Sequence, residues 1–448
     1  QHATAGSTQI SLLQSLNLQP GDELAIAPTD YYLAGNGSSV TQLLTVTSVN
    51  GSLVQFQQPL NAHRWGRLQY ATTNGMSLDS VNIVPSPVPD TDNRRTPKVL
   101  DERAPVGKLT RNITIQAPND ALWQNQGFGA HIMIMGTGAE AHVSGIEIKR
   151  GGQRNRLGRY PFHWHMLSYV GSATLADATG QYFRNSSINQ STNRGIVIHG
   201  TNGVSVENNV VYNVLGHGIF TEDAVERRNI IDSNLVMLIR NTTPTNLPIL
   251  KIHEGNTSDV FGSSGFWISN PDNTLTNNIA ADCNGFGFWL AFTTQPWGES
   301  INVLHTDGLL LNPSRLQFGV FDNNTASSSR NRGVMLDLVE NSNEGTVVDN
   351  QYWNTTNGRQ PVWPNPTLRR FSLARVKVWK NGMSGIWDRA VWPDNFEIVS
   401  ADNCGRFFAG SGDGGIIENS LVIGTSLNHL MNGTNRPLLD DAAGGNQT

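Results

Sequence analysis

The chain has 448 residues, enough to bury a sizeable core, and its net charge of −5 leaves no overall basic footprint for nucleic acid. Charged residues make up only 15%, against about 25% in ordinary soluble domains, while glycine occupies 45 positions. No window approaches about 18 uninterrupted apolar residues, so no membrane-spanning helix is expected, and two cysteines are too few for a disulfide framework.

The chain opens "QHATAG", with neither an initiator Met nor an apolar leader core, and reads as a processed secreted form or a trimmed chain. Glycosylation acceptors at Asn112, Asn185, Asn241 and Asn354 agree with an extracellular setting. Residues 1–115 read as a β-rich module. In it "LNLQPGDELAIAPTDYY" and "QLLTVTSVNGSLVQFQQPL" give strands joined by turns such as "VNGS". A cap is expected there, because an open solenoid end exposes strand edges.

Residues 116–438 are organised by repeats. One unit is an apolar residue, a variable one, two of Asn/Ser type, then small or apolar residues. It recurs as "FRNSSI", "VENNVV", "IDSNLV", "LTNNIA", "FDNNTA" and "IENSLV". A second unit starts on glycine, as "GIVIHG", "GIFTED", "GFWISN", "GFWLAF" and "GVMLDL". Asn185 to Asn208 and Gly195 to Gly218 are both 23 residues apart, and Gly265 to Gly287 is 22. Short strands at that period fit coils stacked by parallel pairing, so the fold predicted is all-β, a right-handed parallel β-helix. The recurring Asn read as a turn ladder. Cys283 and Cys404 fall several coils apart, too far to bridge. The Pro-containing interval 239–264 reads as a loop inserted over one face, and 439–448 as a disordered tail.

Strand alternation then places the chemistry. Counting from the glycine of the second unit, the first and third residues are mostly apolar and face the core. The second and fourth face out. In "PFHWHM" the same register turns Phe162 and Trp164 inward and His163 and His165 outward. The fourth positions of successive coils are His165, His199 and Glu222, a column at the roughly 4.8 Å strand spacing. These three are the catalytic candidates, and His163, His165, His199 and Glu222 the candidate ligands of a divalent metal, zinc or calcium. Phe220, Trp267 and Trp289 occupy the second positions of the same face. Exposed aromatics in a row suit sugar rings, so they are expected to bind substrate. The stretch "KRGGQRNRLGR" adds Lys149, Arg150 and Arg159 as candidate contacts to the carboxylates or sulfates of an acidic polysaccharide. His131 and His217 rank lower.

The strings "GRYPFHWHM", "IVIHGTNG", "NVLGHGIFTEDAVERRN" and "GFWISNPDNTLTNNIAADCNGFGFW" resemble the CEMIP/TMEM2-type hyaluronidases, as do "PGDELAIAPTDYY" and "FGAHIMIM" upstream. The resemblance covers roughly residues 15–340. It implies a right-handed parallel β-helix, degradation of hyaluronan or a related glycosaminoglycan, and divalent metal. It adds weight to His163, His165, His199, His217, Glu222 and Asp223, although Asp223 points to the other face in the register above.

Metal-assisted hydrolysis with Glu222 as the acid is the expected chemistry; no second carboxylate stands out. β-Elimination on a uronic acid is the alternative within enzymes, with His as base. A non-catalytic carbohydrate-binding solenoid is the alternative outside them.

Overall fold

The computed structural model describes residues 1–32, 41–86, 95–240, 262–305, 308–336, 372–388, 394–404, 406–410 and 416–429. Three long parallel sheets run along one solenoid, each coil giving a strand to each sheet. One, here the site sheet, stacks Ile132–Met135, Phe162–His165, Ile196–His199, Ile219–Thr221, Phe266–Ile268 and Phe288–Leu290, then continues to Arg406–Gly410. A second runs from His142–Ser144 to Ile416–Glu418, and a back sheet from Ile113–Gln116 to Leu421–Ile423. This is the parallel β-helix that the repeat spacing predicts.

The repeats have local causes. Asn185, Asn208, Asn277 and Asn323 hold the left-handed conformation at one corner (φ between 51° and 57°), which Asn tolerates better than most side chains. The next position points inside, where Asn209, Asn234, Asn278 and Asn324 form an amide ladder, each Nδ2 donating to the next Oδ1 at 3.0 Å. Every rung thus satisfies buried polar atoms of its neighbour. At the opposite corner, a Cβ on Gly195 would lie 2.3 Å from the Gly218 carbonyl oxygen. Gly218, Gly265, Gly287 and Gly333 meet the next coil at 2.7–2.8 Å. Only glycine fits where coils approach this closely.

Phe162, Trp164, Ile196, Ile198, Ile219, Phe266, Ile268, Phe288 and Leu290 fill the solenoid core, as the alternation predicts. Cys283 joins them, Cys404 lies on a later coil, and neither is in a disulfide.

The N-terminal module is an antiparallel sheet of Gln9–Ser11, Leu53–Phe56, Gln42–Asn50, Glu23–Ile26 and Val106–Lys108. It does not close the solenoid end. Leu24 and Ile26 fill the module's own core, whereas the alternate Ala25 and Ala27 pack on Val210, Tyr212, Met237 and Ala281 of the back sheet. The module therefore lies along the side of the helix, and Ile113–Gln116, the first back-sheet strand, stays exposed along its length. The Glu23–Ile26 strand turns Leu24 and Ile26 to the module's core and Glu23 and Ala25 to the back sheet, so the module docks on the flank. Within the expected insertion at 239–264, residues 241–261 lie outside the described residues, as does the tail 439–448.

Candidate functional site

Phe162–His165 pairs with Ile196–His199 so that His165 stands opposite His199 and His163 opposite Val197. One rung on, Val197 pairs with Phe220 and the Glu222 amide donates to the Ile198 carbonyl at 3.1 Å. His165, His199 and Glu222 thus occupy equivalent points of successive coils. His163, His165 and His199 each offer a ring nitrogen within 4.8 Å of the others, a spacing that can hold a metal ion.

The imidazoles are individually oriented. Nδ1 of His163 donates to the Gly158 carbonyl at 3.1 Å, leaving a buried Nε2 without a partner. Nε2 of His199 donates to Asp223 Oδ2 at 2.8 Å, and its Nδ1 lies 3.0 Å from His165 Nδ1. Burial holds His163 well below the ordinary imidazole range, helped by the neighbouring His199 and His165. Burial lowers His165 as well, with His199 adding to it. At His199 burial also opposes the charge, but Glu222 and Asp223 outweigh it and push the group up to about 10.

The acidic side of the cluster is larger than the sequence suggests. Tyr160 Oη donates to Glu222 Oε1 at 3.1 Å and accepts from Arg194 Nη1 at 2.9 Å, while Glu222 Oε2 is buried without a hydrogen bond. Arg194 lies 3.7 Å from Glu222 and stacks over Phe220 at 4.1 Å. Asp223 points to the same side as Glu222, contrary to the alternation. The strand ends at Thr221, and beyond it the chain turns, so a period of two no longer applies. Glu226 Oε1 accepts from the Asp223 and Gly200 amides at 3.0 and 2.8 Å, tying together the turns behind Asp223 and His199. Burial, then Asp223, raises this carboxyl to about 7. Sequence reasoning missed Tyr160, Arg194 and Glu226. Tyr160 stood inside "GRYPFHWHM" and Glu226 inside "TEDAVERRN", and only the tertiary fold shows that they converge.

Several expectations need correction. The column does not stand in open solvent: His163, His199 and Glu222 are buried and only His165 is partly exposed. Phe220, Trp267 and Trp289 are not an exposed platform. They are fully buried with Tyr160, Phe286 and Trp297, which cover the outward face of the sheet. Lys149 belongs to the back sheet, where it pairs with Glu23 of the N-terminal module at 2.6 Å. Arg150 donates to Ala117 O and Gln116 Oε1. Neither reaches the cluster, because "KRGG" precedes the corner that leads into the site sheet. Arg159 is exposed, immediately before Tyr160. His217 is buried, bonded through Nδ1 to Ser264 at 2.8 Å and stacked on Phe220. His131 is exposed.

A final segment closes over the cluster from outside. The Trp297 amide donates to the Asp223 carbonyl at 3.0 Å and the Ser300 amide to Asp223 Oδ2 at 3.1 Å. Gly298 between them has φ +53°, and a Cβ there would sit 2.4 Å from Asp223 Oδ1. Asp223 therefore holds His199 on one side and this turn on the other.

Residues 127–334 match the family described as CEMIP beta-helix. The cell surface hyaluronidase CEMIP2 of Homo sapiens is 32% identical over 376 residues, 75% of this chain and 26% of that protein. A cell surface hyaluronidase of Danio rerio is 28% identical over 453 residues, 93% of this chain and 30% of its own. Fibrocystin-L of Homo sapiens is 25% identical over 467 residues, 94% of this chain and 10% of that protein. The chain spans less than a third of the length of each of these relatives.

Proposed function

Because the chain belongs to the CEMIP β-helix family through residues 127–334, we propose that it degrades an acidic polysaccharide, hyaluronan or a related glycosaminoglycan, by glycosidic hydrolysis. The reading rests most on one observation: three imidazoles and the carboxylates of Glu222 and Asp223 converge on one side of the site sheet, with His165 reaching solvent. Hydrolysis needs one group to receive a proton from water and another to deliver one to the leaving oxygen. Glu222, expected from the sequence as the acid, suits the receiving role instead, since Tyr160 holds Oε1 and Oε2 accepts no hydrogen bond. Asp223 orients His199 and balances its charge. Arg159, exposed and next in sequence to Tyr160, is the contact left for a substrate carboxylate.

The donors also suit a metal. His163 and His199 each give their second ring nitrogen to an oxygen, Gly158 O and Asp223 Oδ2, the outer support typical of ligating imidazoles. An all-nitrogen triad favours zinc over calcium, which prefers oxygen ligands. A bound zinc ion would supply a Lewis acid and a water of lowered pKa. His163, His165 and His199 would hold it, with Glu222 Oε2 3.6 Å from His199 Nδ1. Elemental analysis before and after chelation should find about one zinc per chain; no metal in any preparation rejects this part.

An extracellular or cell-surface location goes with such a substrate. Among the described residues no helix is long and apolar enough to cross a membrane. The decisive experiment is incubation with hyaluronan, chondroitin sulfates and heparan sulfate, followed by product masses. Saturated oligosaccharides are expected. Products absorbing in the near ultraviolet would mean β-elimination, and intact polymer with tight binding would mean a non-catalytic carbohydrate-binding solenoid.

A further inference from the structure

Among the described side chains of the cluster only His165 reaches solvent, and none of its carboxylates does. Glu222 and Asp223 are buried, and Asp223 is already bonded to His199 and Ser300. The turn held by Asp223 carries one more carboxylate. Glu299 lies between Gly298, packed against Asp223, and Ser300, whose Oγ reaches Met166 Sδ at 4.0 Å. Met166 directly follows His165. Glu299 is exposed, and its charge is felt at His165. Among the described residues it makes no hydrogen bond or ion pair.

We propose that Glu299 is a catalytic carboxylate of this site, the solvent-side partner of Glu222; this rests on the hydrolase reading above. Gly298 is what allows the approach, since any side chain there would strike Asp223 and push the turn off the cluster. In the step assigned to the pair, the glycosidic C–O bond breaks and the leaving oxygen takes a proton from the Glu299 carboxyl. Water adds to the anomeric carbon and gives its proton to the Glu222 carboxylate. One proton enters and one leaves the pair, so the step balances and needs no other reactant.

Electrostatics argues in the same direction. An unpaired carboxylate at the mouth of a site for a polyanion weakens binding by like-charge repulsion. A proton-transfer role predicts opposite effects on binding and turnover when the charge is removed.

The test compares wild type with E299Q and E299A on whichever polymer the wild type cleaves. Loss of a proton-transfer group should lower kcat by about a hundredfold or more, while KM stays equal or falls because repulsion is gone. Added formate should restore part of the E299A rate, and the unfolding transition should not move. Equal kcat in wild type and E299Q overturns the assignment and leaves the hydrolase reading standing, as does a raised KM with unchanged kcat. A wild type that cleaves no acidic polymer overturns both.

Discussion

Two stretches of the same sheet face carry opposite chemistry in the same register. Across the coils of 162–165, 196–199 and 219–223, the outward positions hold imidazoles and carboxylates beside Val197 and Phe220. Across 266–268 and 288–290 they hold Trp267 and Trp289. Both halves are covered, the first by Tyr160 and the Asp223-bound turn, the second by Phe286 and Trp297. An outward-facing residue of a solenoid is therefore not the same as a solvent-facing one. The polar half is the candidate reaction centre, and the aromatic half is its buttress.

The sharpest way to break that contrast is His199→Ala. It should cut cleavage about a thousandfold by removing the link between Asp223 and His165, and should destabilise the fold by about 3–5 kcal/mol through orphaned buried carboxylates. Product assays together with chemical denaturation measure the two effects; retained cleavage would separate the cluster from function. In the aromatic half, Trp267→Ala should cost about 3–5 kcal/mol of stability as a core truncation. Its KM should change little while the protein stays folded. A large rise in KM without loss of stability would restore the Trp to the substrate surface.

A pH experiment separates the module interface from the site. Glu102 shares the Ser426 hydroxyl with Asp402, its Oε2 at 3.0 Å and the Asp402 Oδ2 at 2.6 Å, and one hydroxyl proton cannot serve both. Burial and then Asp402 push Glu102 up to about 7, although Lys380 nearby acts the other way. With the folded value above the unfolded one, the stabilisation is complete below about pH 4.5 and is lost as pH climbs through about 7. The thermal midpoint should fall over that window in wild type and less in Glu102→Gln; parallel curves would refute the assignment. The smallest effect belongs to Lys149→Ala, at most about 1 kcal/mol from its partly exposed pair with Glu23. Its KM should equal that of wild type, because Lys149 lies on the back sheet.

Much of this was readable from residues. The Asn and Gly columns repeat because stacked coils impose the same buried amide and the same backbone contact on every rung, so the constraint is written at a fixed period. His165, His199 and Glu222 line up by alternation alone. Alternation failed at Asp223, two residues past the strand end. It was also silent about Tyr160, Arg194 and Trp297, which approach from other coils and from a distant turn. The flank position of the N-terminal module follows from Ala25 and Ala27, whose small side chains give little signal of a second packing face.

At the glycine corner the backbones of neighbouring turns touch with no side chain between them. That seam acts as a stiff keel beside the candidate site: the pitch of the tube there cannot stretch or shrink to suit a guest. On the hydrolase reading, adjustment to a polymer falls to the Trp297–Ser300 turn, which hangs from Asp223 by two hydrogen bonds.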